Sequence, residues 1–272
     1  MVYHPKEIPE DINVTPVHPL VNFAYLLGTV VIVSGLVYVV LGAIATQLAI
    51  RISPETEMKI GQQLISSMSD IDSTSYLEQQ EYLEDLADSL QTQNASNALP
   101  ATIHIQKEEQ ANAAVIPGGH IIVTTALLEE AESENELAFV LAHELGHHVA
   151  RDSLKRLGRS LVFLTVFSVL GLGVDNADLV IFTGSLTDLH YSRQQETAAD
   201  IYALSTVVGF YGHGGGSLDF FERIQAKDQH LGGKLSSYFS THPLTAERIE
   251  LLHEVAAEKG WQMTGELTDY QK

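Results

Sequence analysis

Leu137 to Asp152 reads LAFVLAHELGHHVARD, and the fold turns on how this stretch is placed. Leu137, Phe139, Val140, Leu141 and Leu145 recur as on the buried face of a helix, and Ser133-x-x-Glu136 just ahead is a capping box. Yet three histidines and a glutamate sit among them. Polar groups buried without partners cost free energy, so these either face solvent or bind something in the interior. His143 and His147 are four residues apart, so both imidazoles project from one face, with Glu144 beside the first. In His-Glu-x-x-His two neutral imidazoles can bind zinc while the carboxylate reaches the metal-bound water. His148 falls outside this pattern and carries no assigned role.

A catalytic zinc needs a third protein ligand and an open fourth position. HYSRQQETAADIYALS, residues 190–205, again mixes acids with apolar residues at helical spacing. Glu196 and Asp200 share a face there. One carboxylate completes a His-His-Glu set, and the second, one turn on, is placed to hold a ligand imidazole.

The chain of 272 residues is 45% hydrophobic, enough for one substantial domain and something more. It has no cysteine, which excludes disulfides, thiolate metal sites and thiol nucleophiles. A formal charge of -20 argues against nucleic-acid binding and against an electrostatic grip on anionic lipid. From Leu20 to Ile50 runs LVNFAYLLGTVVIVSGLVYVVLGAIATQLAI, without a charge. As a helix it exceeds the roughly 30 Å hydrocarbon core. The competing reading is a secretory signal with Ala43-Ile44-Ala45 as cleavage pattern. The apolar run is too long for that, and the preceding residues carry Glu7, Glu10 and Asp11 against Lys6, so an uncleaved anchor is expected. Lys6 before the span and Arg51 and Lys59 after it do not settle its orientation.

The organisation is then a proline-bearing extended tail over 1–19, the anchor over 20–50, a main domain over 53–258 and a tail over 259–272. Ser53-Pro54-Glu55 starts a helix, and Ser75-x-x-Glu78 opens another with Tyr82, Leu83, Leu86 and Leu90 at helical spacing. Three short strands follow in ATIHIQ, ANAAVI and GHIIVTT, the last two joined by a turn at Pro117-Gly118-Gly119. His104 and His120 read as exposed strand residues with no partner at a useful spacing. Further helices are expected near 152–172, 177–190, 193–208, 217–228 and 245–258. SLVFLTVFSVLGLGV, residues 160–174, is short for a span, and buried core helices are favoured over a membrane hairpin. Gly212 to Gly216 lacks the lysine and strand of a phosphate loop and reads as a turn.

HELGH at 143–147, the ExxxD of SRQQETAAD at 196–200, NAAVIPGGHIIVTTALL at 112–128 and THPLTAER at 241–248 together resemble the HtpX-like and CAAX-prenyl-protease-like zinc endopeptidases, gluzincins that include a mitochondrial inner-membrane stress metalloprotease. The resemblance covers residues 53–258. It implies an α+β, zincin-like domain, mostly helical with a small mixed sheet, behind an N-terminal transmembrane helix. It makes His143, His147 and Glu196 ligands of one zinc ion per chain and Glu144 the general base. It suggests that Asp200 orients His143, that His242 stabilises the oxyanion with Arg248 in support, and that Asn112 and Ala113 lie on a substrate-binding strand edge. This chain has NAAV where relatives often place an aromatic after Asn-Ala. The implied partners are polypeptides, chiefly membrane proteins in quality control, and the bilayer through residues 20–50. Relatives also place membrane helices between the two metal motifs. The rival reading is a zinc-containing assembly factor, which would need a closed, four-ligand site.

Overall fold

The computed structural model of the protein describes residues 18–68, 71, 75–93, 99–169, 191–223, 241–242 and 246–270. The expected helix over 177–190 and the tail over 1–17 lie outside the described residues, as do residues 224–228 of the helix expected over 217–228.

Helix α1 spans Pro19–Ala49 and is the apolar segment itself. Nearly all of it is exposed, and only Gly42 and Ala49 are buried. Helix α2 (Pro54–Ser67) starts as the sequence dictates: Ser53 caps the Thr56 N–H and Pro54 occupies the first turn. Helix α3 (Leu77–Gln93) buries Leu83, Leu86, Ala87 and Leu90. Three strands follow, β1 (Thr102–Gln106), β2 (Ala113–Ile116) and β3 (His120–Thr124), then the short α4 (Thr125–Glu130). Helix α5 (Glu134–Val149) carries the opening stretch, α6 is Asp152–Val169, α7 is Arg193–Tyr211 and α8 is Ala246–Lys259.

The sheet has the order β1-β3-β2 and is mixed: β1 runs parallel to β3, β2 antiparallel to it. Gly118 and Gly119, at φ 91 and 83, form the β2–β3 turn, a left-handed conformation that disfavours other residues. One face of the sheet joins α3, α5 and α7 in a core built from Leu83, Leu90, Ile103, Ile105, Ile121, Val123, Phe139, Leu141, Leu204 and Val207. The architecture is the expected mostly helical α+β domain with a small mixed sheet.

One expectation is corrected. His104 and His120 are not solitary: His104 Nε2 lies 3.0 Å from His120 Nδ1, and His120 is buried. The parallel register pairs Thr102 with His120, which sets His104 diagonally beside it. Helix α6 buries Leu154 and Leu157 near its start and exposes Leu161, and the remainder of the 160–174 run expected in the core lies outside the described side chains. It also lies against α1. A Cβ on Gly158 would stand 3.4 Å from Ala45 O, and one on Gly42 would stand 3.9 Å from Arg159 Cγ, so the two helices run in opposite directions. Residues 260–270, the expected tail, form no helix or strand yet touch the domain. Trp261, Met263 and Tyr270 pack on the core, and Thr268 exchanges hydrogen bonds with Glu134 N and Asn135 Oδ1.

Where α5 and α7 cross, Gly146 faces Ala199, and a Cβ at 146 would come within 3.0 Å of Ala199 Cα and 3.3 Å of its Cβ. The expected result of Gly146→Ala is a loss of about 1–3 kcal/mol from overpacking, read as a lowered unfolding midpoint. A second expectation concerns acid. Burial lowers His104, to about 4, and lowers His120, with neighbouring imidazoles adding to each. Both are bases whose folded pKa lies below the unfolded value. Their neutral-form stability is therefore complete above about 6.5 and is lost as pH falls toward 4. The urea midpoint should drop between pH 7 and pH 5, and by less in His104→Phe.

Candidate active site

Helix α5 is pinned before it reaches the histidines. Ser133 accepts from Glu136 N, although the Glu136 carboxylate bonds Glu132 N and the Arg223 guanidinium rather than closing the expected box. Helix α7 begins with a complete capping box, Ser192 with Gln195, and ends on Gly212 in the left-handed conformation. The close Gly146–Ala199 crossing then brings the polar faces of the two helices together.

His143 Nε2 and His147 Nε2 lie 3.2 Å apart, and each stands 3.5 Å from a Glu196 oxygen. Ligand atoms about 2.0–2.1 Å from one tetrahedral ion are separated by roughly 3.3 Å. The donor set fits a divalent metal. His242 joins it: Nδ1 is 3.1 Å from His143 Nε2 and 3.1 Å from Glu196 Oε1. His143, His147, Glu196 and His242 are all buried, with one ligand atom from each within 4.8 Å of the others. Sequence reasoning counted three convincing donors; the fold brings in a fourth.

Glu144 is fully buried beside this group. Its Oε2 accepts from Val115 N on β2 at 2.9 Å, while Oε1 accepts no hydrogen bond among the described residues and stands 3.4 Å from His242 Nε2. The Val115 N–H that meets it belongs to the strand edge turned toward α5. Asp200 Oδ1 lies 2.9 Å from His143 Nδ1, and Arg248 grips Asp200 with two hydrogen bonds while its Nη2 stands 2.9 Å from Glu196 Oε2. Arg248 is thus directed at the two carboxylates of α7. Asn112 is tied to Thr124 through its backbone, and its Oδ1 accepts from Thr241 Oγ1, next to His242. Ala113 is buried and pairs with Val123.

Two residues escaped the sequence reading. Asp152 Oδ2 lies 3.2 Å from His147 Nδ1, the counterpart of Asp200 at His143. Tyr191 stacks on His147 with ring centroids 3.7 Å apart, under the Arg156 guanidinium. Asp152 was detectable as an acid shortly after the motif. Tyr191 gave no periodic signal. A cavity of about 410 Å³ opens beside the centre, bordered by Tyr191, Glu196 and Arg248.

The electrostatics favour positive charge. Burial opposes protonation of His143, yet the Asp200 and Glu196 carboxylates raise it to about 10. Burial would raise Glu196, but the surrounding imidazoles, His242 foremost, lower it far below the usual range. Asp200 and Asp152 are likewise lowered against the cost of burial, by His143 with Arg248 and by His147 with neighbours. A proton and a divalent cation compete for this centre.

Comparison with known proteins decides the family: the sequence pattern of peptidase family M48 matches residues 76–256. The chain belongs to peptidase family M48. It is 32% identical over 157 residues to the mitochondrial metalloendopeptidase OMA1 of Schizosaccharomyces pombe, covering 56% of this chain and 45% of that protein. It is 33% identical over 168 residues to the Arabidopsis thaliana OMA1, covering 58% and 34%. A putative beta-barrel assembly-enhancing protease of Vibrio cholerae is 25% identical over 181 residues, covering 62% and 37%. The chain matches less than half the length of each of these relatives. Membership in M48 accords with a buried metal-binding group built on HELGH and ETAAD.

If Asp152 orients His147 as its position suggests, Asp152→Asn lowers metal affinity about 10–100-fold. Titration of the apo protein with zinc in competition with a chromophoric chelator measures it. Unchanged affinity removes Asp152 from the site.

Proposed function

We infer that the protein is a zinc endopeptidase held at a membrane by α1, acting on polypeptides and chiefly on membrane or misfolded proteins. The observation that carries this is Glu144: a buried carboxylate with one oxygen that accepts no hydrogen bond among the described residues, set beside a His-His-Glu donor group in an M48 chain. A purely structural metal has no use for it. His143, His147 and Glu196 are assigned as ligands, Asp200 as the residue orienting His143, and residues 53–258 as the catalytic domain. The side chains of α1 support attachment. Large apolar residues such as Phe23, Leu26, Ile32 and Val39 are more than half exposed along it, a continuous surface unsuited to water.

A bound zinc supplies Lewis acidity, acidifying a water and polarising the scissile carbonyl. The chain does the rest. Glu144 Oε1 takes the proton of the attacking water and later delivers it to the leaving amine, while the Val115 N–H fixes Oε2 and thereby the direction of the carboxylate. Asp200 and Asp152 hold the two imidazoles by their Nδ1 atoms, so that Nε2 of each points inward. An extended substrate is expected along the outer edge of β2, with Asn112 and Ala113 at its start. Asn112 acts there also by holding Thr241, and through it His242. His242, whose Nε2 shares the space around Glu144 Oε1, is assigned to the oxyanion; Arg248 supports the site through Asp200 and Glu196.

A second reading draws on His242. Four donors can close a metal site, as in a zinc-containing assembly factor. One substitution separates the two. Glu144→Gln should keep stoichiometric zinc, keep the unfolding midpoint, and lose at least about 10²-fold in proteolysis of casein or a model membrane protein. Wild-type cleavage by this variant would remove the general-base assignment. A wild-type protein that binds zinc and cleaves nothing would favour the assembly factor.

A further inference from the structure

Two neighbouring residues at the end of α5 face opposite ways. Asp152 touches His147 in the candidate metal centre, whereas Arg151 reaches the end of the apolar helix. Its guanidinium donates to Ile50 O at 3.0 Å and to Ile52 O at 2.8 Å, and through Nε to Glu57 Oε2 at 2.9 Å. Arg151 has φ 55, the one non-glycine residue with positive φ among those described. A side chain held in that conformation implies that its contacts repay the strain. Glu57 is buried on α2, and its other oxygen accepts from Gly118 N in the β2–β3 turn. One ion pair thus gathers the end of α1, α2, the turn leading out of β2, and the helix of His143 and His147.

The last turns of α1 are built to match. Gly42, Ala45, Thr46 and Ala49 recur at helical spacing, and they are the residues of this region removed from solvent. Their small side chains let α6 approach closely at Gly158. Upstream, Leu20 to Leu41 is exposed or nearly so, about 33 Å of helix, enough for the roughly 30 Å hydrocarbon core. The helix therefore divides into a bare spanning length and a docked end, and the docked end lies within two adjacent side chains of the metal centre.

We propose that Arg151, paired with Glu57, is a positioning and specificity-determining residue: it locks the catalytic domain onto the end of the membrane helix, so that the site works at a fixed, low height and selects peptide bonds beside the membrane surface. This rests on the membrane-anchored peptidase reading above. The substrate class it names is polypeptide segments adjoining a membrane span. A domain on a loose tether would sample many heights and show no such preference.

The test uses the full chain in proteoliposomes. Two single-span substrates carry the same cleavable segment on the side of the catalytic domain, one directly at the bilayer and one raised on a rigid helical spacer of about 20 residues, or ~30 Å. Wild-type kcat/KM should favour the low segment by at least tenfold. Arg151→Gly, which accepts φ 55 without strain, and Glu57→Gln should bring the ratio toward one. Rescue separates the clasp from general damage. Ala45→Cys with Gly158→Cys places two sulfurs across the α1–α6 contact, where a Cβ on 158 would lie 3.7 Å from Ala45 Cβ, within the disulfide range of about 3.5–4.5 Å. The chain has no cysteine of its own to interfere. Oxidised, this pair should restore the preference in Arg151→Gly, and reduction should abolish it again. Equal wild-type rates on the two substrates, or variants that keep the wild-type ratio, overturn the proposal alone. A wild-type protein inactive on both overturns the peptidase reading and this proposal with it.

Discussion

Buried charge is the constraint from which the rest of the molecule follows. Glu144, Asp152, Glu196 and Asp200 put four carboxylates into the interior around His143, His147 and His242. Carboxylates out of water are tolerated when paired and hydrogen-bonded, and otherwise they neutralise or distort the fold. Arg248 answers part of this charge through Asp200 and Glu196, and Lys155 part of it through Asp152. The imidazoles of His143 and His147 turn their Nδ1 atoms to Asp200 and Asp152 and their Nε2 atoms to a common point, which His242 meets with Nδ1. A divalent cation at that point completes the balance, which is the physical content of a metal site in a peptidase of the M48 family.

Bringing those groups together requires two helices to cross without side chains between them. Gly146 on α5 and Ala199 on α7 provide the crossing, each sitting inside its own polar motif. Gly146 of HELGH and Ala199 of ETAAD are therefore packing residues of the site. The strands then have a limited task. β2 presents Val115 N to Glu144, and β3 holds β2 in place through an antiparallel ladder. Glu134 fastens the start of α5, accepting from Tyr82 of α3 and Tyr211 of α7 while residues near Thr268 lie across it.

What could be read in the sequence was local. The four-residue spacings of His143 with His147 and of Glu196 with Asp200 place side chains on one helical face, whatever the fold does later. Ser53 acted as read, Ser133 capped its helix without the reciprocal bond from Glu136, and the period-two stretches became strands. Contacts between elements were not legible. His104 meets His120 because a parallel register sets their strands side by side, and no spacing in one segment announces that. Tyr191 reaches His147 by stacking, which leaves no periodic trace. Arg248 gave no sign from its own segment that it would grip Asp200. Hydropathy is ambiguous in another way: an apolar helix seated in a core and one lying along another apolar helix have the same composition, so composition alone did not show that α6 lies against α1. Average polarity also made residues 260–270 look like a tail, although a few contacts from Trp261, Met263 and Tyr270 hold them down.

The same limit applies to the competing reading of the apolar N-terminal segment. Scored by length and hydropathy, an anchor and a secretory signal differ only by degree, and Ala43-Ile44-Ala45 satisfies the small-residue rule for cleavage. Packing distinguishes them. A cut after Ala45 would separate Gly42 and Ala45 from Thr46 and Ala49, dividing the stripe that meets α6 and leaving the Ile50 and Ile52 carbonyls on a frayed end beneath Arg151. A signal segment is selected to leave, and the residues near its cleavage site have no reason to fit the mature domain. Here the small residues that imitate a cleavage site are the ones whose size the helix contact needs. That double duty supports a segment retained by the folded protein, and it explains why Gly42, Ala45, Thr46 and Ala49 fall on one stripe of the helix.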